Sequence, residues 1–528
     1  MSAINVNESL QSQSINSTSE GSNVDEENGE SKRQRLHHSS EIGEDGLLEP
    51  LSESSVRRLI LNFEKMAAKN QEMRIKYPDD TTKLADSDME LSVAIGELQL
   101  LADVPHFYAL FVRLNTVSSL CQLLLHPNSD IGIAVADLFY EMTEIIPGSP
   151  NLSILVDALM DAQAPQYLFT NLIRLNEENP LEAISVYSTM AVIQNMIEKT
   201  TYTADVAVQC GYVEWVLNRL KMQILPQDEN KVYCSRFLDI LLENSGECKK
   251  VLHENNGIDI LLELLAAYRR PDPCLVSKKQ TMLNVFSSLC ISLHYVPNKH
   301  KFREGEGFQV VLMMLRKSKT GMGWALRALD YATKSPDSKE NCNKLVEVGG
   351  LGTVFPFFMR PTIRRIRKHF SIEEQEEHVC SVLSSLLKYC DSSQQERVIK
   401  KFSERNFKKL KRLAKLHKKY WLRVRDFEET HTSLSDDNKI YLDKLENGLS
   451  TLQSISFIFS VILVKGDNNL ADQAMKLLVL NQLFLESIQQ VLKEYAENLG
   501  LDGESKSEDK ALVETLLKQL DRMKSRAE

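Results

Sequence analysis

The chain has 528 residues, 43% of them hydrophobic and 26% charged, and 63 Lys and Arg against 73 Asp and Glu give a formal charge of −10 at pH 7. That balance describes an ordinary globular chain with a mildly acidic surface, and it argues against nonspecific nucleic-acid binding by the molecule as a whole, since neutralising phosphates needs a net basic footprint. Nine cysteines without a CxxC pair or fixed spacing argue against a disulfide framework and fit a reducing compartment, nucleus or cytosol.

Residues 1–50 are rich in Ser, Asn, Glu and Gly and nearly free of aromatics, so they bury too little apolar surface to offset ordering and read as a disordered tail. Within it Lys32, Arg33 and Arg35 form a short basic cluster shaped like a nuclear-import signal, with an accidental cluster weighing about evenly against it. The polar start carries no secretory pattern. Residues 51–106 predict capping helices. Ser52 or Ser54 is the N-cap of a first helix with Val56, Leu59, Ile60 and Phe63 on one face, which stops before Pro78, and a second helix runs from Leu91 to Ala102.

Residues 107–400 predict repeats. Asn115, Ala162, Gly211, Gly257, Gly307 and Gly350 each stand just ahead of a short, apolar helix, in steps of 43 to 50 residues. That period is near those of armadillo and HEAT repeats. Each unit reads as a short helix, an apolar helix and a longer third helix: Ile131–Glu144, Leu181–Lys199, Lys231–Asn244, Lys278–His294, Met322–Lys334 and Glu376–Cys390. The fold class is therefore all-α, a right-handed superhelical armadillo/HEAT-like solenoid with an N-terminal helical cap and non-repeat C-terminal helices. After residue 400 the period is lost. Residues 401–500 read as a C-terminal helical region that includes a basic amphipathic helix at 408–419, and 501–528 as a tail with a short, loosely attached amphipathic helix at Lys510–Met523.

Several stretches resemble the β-catenin-like protein 1 family of nuclear armadillo-repeat proteins. They are Ser54-Ser55-Val56 with Ile60-Leu61 and Phe63-Glu64-Lys65, Lys69-Asn70-Gln71-Glu72-Met73-Arg74-Ile75-Lys76, Asp130-Ile131-Gly132-Ile133-Ala134-Val135, Gly305-Glu306-Gly307, Glu377-His378-Val379-Cys380-Ser381 and Lys493-Glu494-Tyr495-Ala496-Glu497-Asn498, in the same order. The resemblance implies a non-enzymatic scaffold in pre-mRNA splicing, an accessory subunit of the nineteen complex of the spliceosome that binds basic localisation-signal segments of splicing factors. In vertebrates an antibody-diversifying deaminase is also bound. Two departures stand out: the N-terminal extension usual in the family is shortened here to one basic cluster, and the 408–419 helix is more basic than the family implies.

Arrays of this type bind extended peptides along their third helices, where transport adapters carry a ladder of Trp and Asn. Here only Asn195 falls at such a position, and Glu141, Glu144, Glu198, Glu243 and Asp330 occupy the neighbouring register. These six residues are the candidate groove, acidic enough to attract Lys/Arg-rich segments, against the plainer reading of a solvated helix face. Arg364, Arg365 and Arg367, with Lys408, Lys409, Lys411 and Arg412, form a candidate basic surface for RNA or an acidic protein. No aromatics interleave there for base stacking, so solvation weighs more than RNA contact. No residue pattern for catalysis, a cofactor or a metal is present. Expected partners are splicing factors with basic segments and import receptors on the N-terminal tail, in the nucleus; self-association into a homodimer stays open. The alternative function is a nuclear transport adapter for basic-signal cargo, which a regular Trp/Asn ladder and a long basic N-terminal segment would favour.

Overall fold

A computed structural model describes residues 51–527 apart from 145–149, 225–227, 269–272, 319, 361–369, 431–436 and 500–503. The Lys32, Arg33 and Arg35 cluster and Arg364, Arg365 and Arg367 lie outside the described residues. Among the described residues every regular element is helical, and the chain divides into two compact units, Met1–Val251 and Leu252–Glu528.

In the first unit, α1 (Glu53–Lys76) starts where the Ser52 side chain accepts from the Ser55 amide, and it buries Val56, Ile60 and Phe63 against α2 (Thr81–Leu98). Capping of this kind satisfies an amide that the first helical turn leaves without an internal partner. At the far end of α1 a polar knot joins the cap to the first repeat. Arg74 grips Asp88 of α2 at 2.6 and 2.7 Å, Asn70 donates to the same carboxylate at 2.7 Å, and Asn128 donates to it at 3.1 Å from the loop before α5. The Lys69–Lys76 stretch is thus the seam between cap and array.

Three helix triplets follow: α3 (Tyr108–Arg113), α4 (Thr116–Leu123) and α5 (Ser129–Thr143); α6 (Pro150–Asp161), α7 (Ala164–Leu172) and α8 (Pro180–Lys199); α9 (Tyr202–Cys210), α10 (Tyr212–Lys221) and α11 (Glu229–Asn244). α12 (Gly246–Glu254) opens the next. The turn from first to second helix passes through one left-handed residue: Asn115 (φ 61°), Gln163 (φ 56°) and Gly211 (φ 103°), and in the second unit Asn256 (φ 54°), Glu306 (φ 59°) and Gly349 (φ 78°). The corners are 43 to 50 residues apart, so the period in the sequence is the spacing of these turns. Ala162 is one residue short of its corner, and in the second unit the glycine follows the corner, for a packing reason. A Cβ on Gly257 would meet Leu252 Cγ at 2.4 Å, and one on Gly307 would meet the Phe302 carbonyl at 2.6 Å. Close approach of the second helix to the first is what excludes a side chain there.

The long helices pack side by side, α2 beside α5, α5 beside α8 and α8 beside α11. In the second unit α13 (Gly257–Ala267), α15 (Val296–Glu304), α16 (Gly307–Lys317), α18 (Lys339–Glu347) and α19 (Leu351–Met359) alternate with the long helices α14 (Val276–Ser292), α17 (Met322–Thr333) and α20 (Ile372–Tyr389). The row does not stop at residue 400. α21 (Ser392–Thr430) breaks at Glu404–Phe407, where Arg405, Asn406 and Phe407 take φ of 52° to 58°; α22 (Asp437–Lys444) leads to α23 (Ser450–Lys465), which packs beside α20. The two limbs of α21 and α23 therefore follow one another in the order of a triplet, although the second limb is long, basic and amphipathic where the repeats have a short apolar helix, and the corner is lengthened to Glu404–Phe407. The stretch Lys439–Lys465 is long and apolar enough to cross a membrane by length and composition, but 78% of its most apolar window is buried in this unit.

α24 (Asn468–Leu480), α25 (Leu485–Asn498) and α26 (Glu504–Ala527) close the second unit. α26 is not loosely attached. It buries Val513, Leu516, Leu517 and Leu520 against α23 and α25, and the Tyr389 hydroxyl donates to Asp509 at 2.8 Å.

On the second limb of α21, His417 is fully buried, 3.2 Å from the Ser456 hydroxyl of α23, with its ring edge-on to Phe459. Burial pulls its pKa down to about 4 from the ordinary 6.5. The unfolded chain takes up this proton first as pH falls, so the neutral imidazole's contribution is complete above pH 6.5 and is lost on the way down to about 4, about 3 kcal/mol in all. Denaturant midpoints across that window should fall more steeply for the wild type than for His417→Leu. Parallel pH profiles would mean that His417 does not carry the acid sensitivity.

Candidate peptide-binding face

Helices α5, α8 and α11 each present one solvent-reaching stripe at the three- to four-residue spacing of a helix face. On α5 it holds Asp137, Tyr140 and Glu141, with Glu144 at the C-cap; on α8, Tyr187, Gln194, Asn195 and Glu198; on α11, Tyr233, Arg236 and Glu243. The three tyrosines form a continuous ladder. Tyr140 and Tyr187 lie edge to face with centroids 5.7 Å apart, and Tyr187 and Tyr233 at 4.6 Å.

Hydrogen bonds fix the register of the ladder. Ser188 donates to Asp137 at 2.6 Å and Asn195 to Thr143 at 3.2 Å, tying α8 to α5; the Tyr233 hydroxyl donates to Gln194 at 2.8 Å, tying α11 to α8. Gln194 in turn donates to Glu198 at 3.3 Å. Burial, followed by hydrogen bonds with Glu144 and Tyr187, pushes the Tyr140 pKa up, so the phenol stays protonated. Burial among the rings also pushes Tyr233 up. The Glu243 carboxylate, crowded by the helices although its side chain reaches solvent, has its pKa raised by desolvation and partly restored by Arg236. Arg236 also pairs at 3.2 Å with Asp239, which is buried. Phenolic faces between carboxylates make a surface that attracts cations.

Of the groove candidates, Glu141, Glu144, Asn195, Glu198 and Glu243 all fall on this face. Asn195 has its amide committed to Thr143. Asp330, on α17 of the second unit, does not line a groove as expected: it is 3% exposed and each of its carboxylate oxygens already accepts a hydrogen bond. His378 donates to it at 2.8 Å and Ser381 at 2.5 Å, both from α20. Burial alone would raise the Asp330 pKa, and these partners outweigh it and hold it low. Around it Arg327 lies over the Trp324 ring at 4.7 Å and pairs with Glu374 at 3.2 Å, so charges on this part of the second unit are paired internally. The basic candidates divide as well. Lys408 and Lys411 are exposed, whereas Lys409 pairs with Glu404 at 2.8 Å and Arg412 with Glu376 at 2.6 Å; the latter two hold the fold together. Among the described residues no group of His, Cys, Asp and Glu is arranged to hold a metal ion.

The family model described as "Catenin-beta-like, Arm-motif containing nuclear" matches residues 34–493. The chain belongs to this family. It is 39% identical to human beta-catenin-like protein 1 over 86% of this chain and 84% of that protein. It is 28% identical to the beta-catenin-like protein 1 homolog of Schizosaccharomyces pombe, over 85% of this chain and 79% of the homolog. Among solved structures, a chain from work on the interaction between cadherin and beta-catenin superposes with a TM-score of 0.51 at 13% identity, covering 89% of this chain and 98% of that one. That likeness is one of fold, an armadillo-like helical solenoid. Membership of the catenin-beta-like family gives this chain a repeat-based protein-interaction role, of a scaffold type, and the family's description is of nuclear proteins.

The tyrosine ladder was not picked out from the sequence. Its signal is there: Tyr140, Tyr187 and Tyr233 recur at 47 and 46 residues, one per long helix. A search for Trp and Asn at those positions passes over them.

Proposed function

We propose that this chain is a nuclear, non-enzymatic scaffold of pre-mRNA splicing, associated with the nineteen complex, and that it holds Lys/Arg-rich segments of splicing factors across the α5–α8–α11 face. The observation that carries the reading is the ladder Tyr140–Tyr187–Tyr233 bordered by Glu144, Glu198 and Glu243. An extended peptide advances roughly 3.3 Å per residue and packed helices lie about 8–10 Å apart, so about three residues of peptide pass each helix and long basic side chains reach successive helices in turn. Each ammonium or guanidinium rests on a phenol face while a carboxylate accepts its hydrogen bonds. Relatives named beta-catenin-like protein 1 and a family described as nuclear support the setting.

Affinity purification from nuclear extract tests the proposal. Wild-type bait should recover splicing subunits, and a Glu144→Lys, Glu198→Lys, Glu243→Lys variant should recover about tenfold less, since reversed charge disfavours the same partners. Recovery of import receptors without splicing subunits would replace this reading with a transport adapter.

A further inference from the structure

The second limb of α21 sorts its cations into two sets. One set is paired within the fold: Lys409 meets Glu404, Arg412 meets Glu376 and the Phe358 carbonyl, and Lys419, though exposed, meets Glu373 and Glu376. The other set is Lys408, Lys411, Lys415 and Lys418. Lys408, Lys411 and Lys415 are exposed and Lys418 is half-buried, and among the described residues none of the four meets a carboxylate.

These four lysines stand at i, i+3, i+7 and i+10, one face of the helix, and at 1.5 Å per residue they draw a straight line about 15 Å long. Leu422 continues the line one turn further and is 47% exposed. Like charges at this spacing repel one another and weaken the helix, so the fold gains nothing from them. They also form a local basic field on a chain whose net charge is −10.

We infer that this stripe is a docking surface for an acidic amphipathic helix of a partner protein. Such a helix offers carboxylates at the same three- and four-residue spacing and an apolar residue to cover Leu422; charge complementarity sets its register. Nucleic acid fits less well. The stripe contains no aromatic and no free arginine on which bases would stack, and Leu422 gives a phosphate backbone nothing to contact.

The test uses the full chain and a labelled helical peptide with Glu at i, i+3, i+7 and i+10 and Leu at i+14, beside a scrambled peptide of the same composition and an oligouridine. The patterned peptide should bind at least about tenfold more tightly than the scrambled one, and about tenfold more weakly to a Lys408→Gln, Lys411→Gln, Lys415→Gln variant whose melting temperature is unchanged. Leu422→Ala should weaken it as well. Binding of a Lys/Arg-rich peptide to the tyrosine ladder should be the same in all these variants, which separates this surface from the one proposed above. Equal binding of patterned and scrambled peptides, no effect of the glutamine variant, or oligouridine outcompeting the patterned peptide would each overturn the inference.

Discussion

Arg219→Met should destabilise the first unit by about 3–5 kcal/mol, the cost of leaving buried carboxylates without their cation. Arg219 ends α10 and is 4% exposed. Its guanidinium bonds both oxygens of Glu177, in the loop before α8, and reaches Asp228, the N-cap of α11, at 2.7 Å. Asn230 donates to Glu177 at 2.8 Å from the first turn of α11. One side chain thus fastens two inter-helix loops and two of the three ladder helices. Methionine fills the volume but leaves both carboxylates desolvated and close together. Arg219→Lys should fall between, because a single ammonium cannot present two forks at once. Denaturant unfolding followed by the fluorescence of Trp215, on the same helix and the tryptophan of this unit, reads the effect directly. A loss below about 1 kcal/mol would show that the triad is solvated and does not clamp the loops.

The ladder tyrosines carry the second large effect. Replacing Tyr140 and Tyr187 by leucine keeps apolar packing between α5 and α8 and removes two phenol faces. A cation resting on an aromatic ring contributes about 0.5–2 kcal/mol according to how far it is desolvated. Loss of two such contacts, about 2 kcal/mol, is roughly a thirtyfold weakening for a basic peptide. The effect should be far smaller for a neutral peptide of the same length, and it should be nearly independent of the inner packing that Arg219 maintains, since the two sites share no side chain.

The helical class, the period and the capping serine were legible from the sequence because they are local. Ser52 precedes its own helix, and a left-handed corner or a glycine such as Gly257 marks every turn within a few residues of the helices it joins. What the sequence did not reveal depends on neighbours one period away. Asp330 occupies the same register as the groove carboxylates, yet His378 and Ser381, 48 and 51 residues further on, close over it. The triplet built from α21 and α23 was hidden because its corner is three residues of left-handed backbone in place of one and its second helix is basic where the others are apolar. Lys409 and Arg412 look like their neighbours Lys408 and Lys411 in a charge run; the break in α21 turns Glu404 back to Lys409, and the packing of α21 against α20 brings Glu376 to Arg412. The ladder itself is a repeat of single residues, one tyrosine per long helix at 47- and 46-residue spacing.

The proposed function places basic segments on the α5–α8–α11 face. A direct titration of the full chain with a labelled Lys/Arg-rich peptide, for the wild type and for the Tyr140→Leu, Tyr187→Leu variant, tests that most simply. Binding should be saturable and salt-sensitive and weaken roughly thirtyfold in the variant; equal affinity of the two proteins for the peptide would rule this face out.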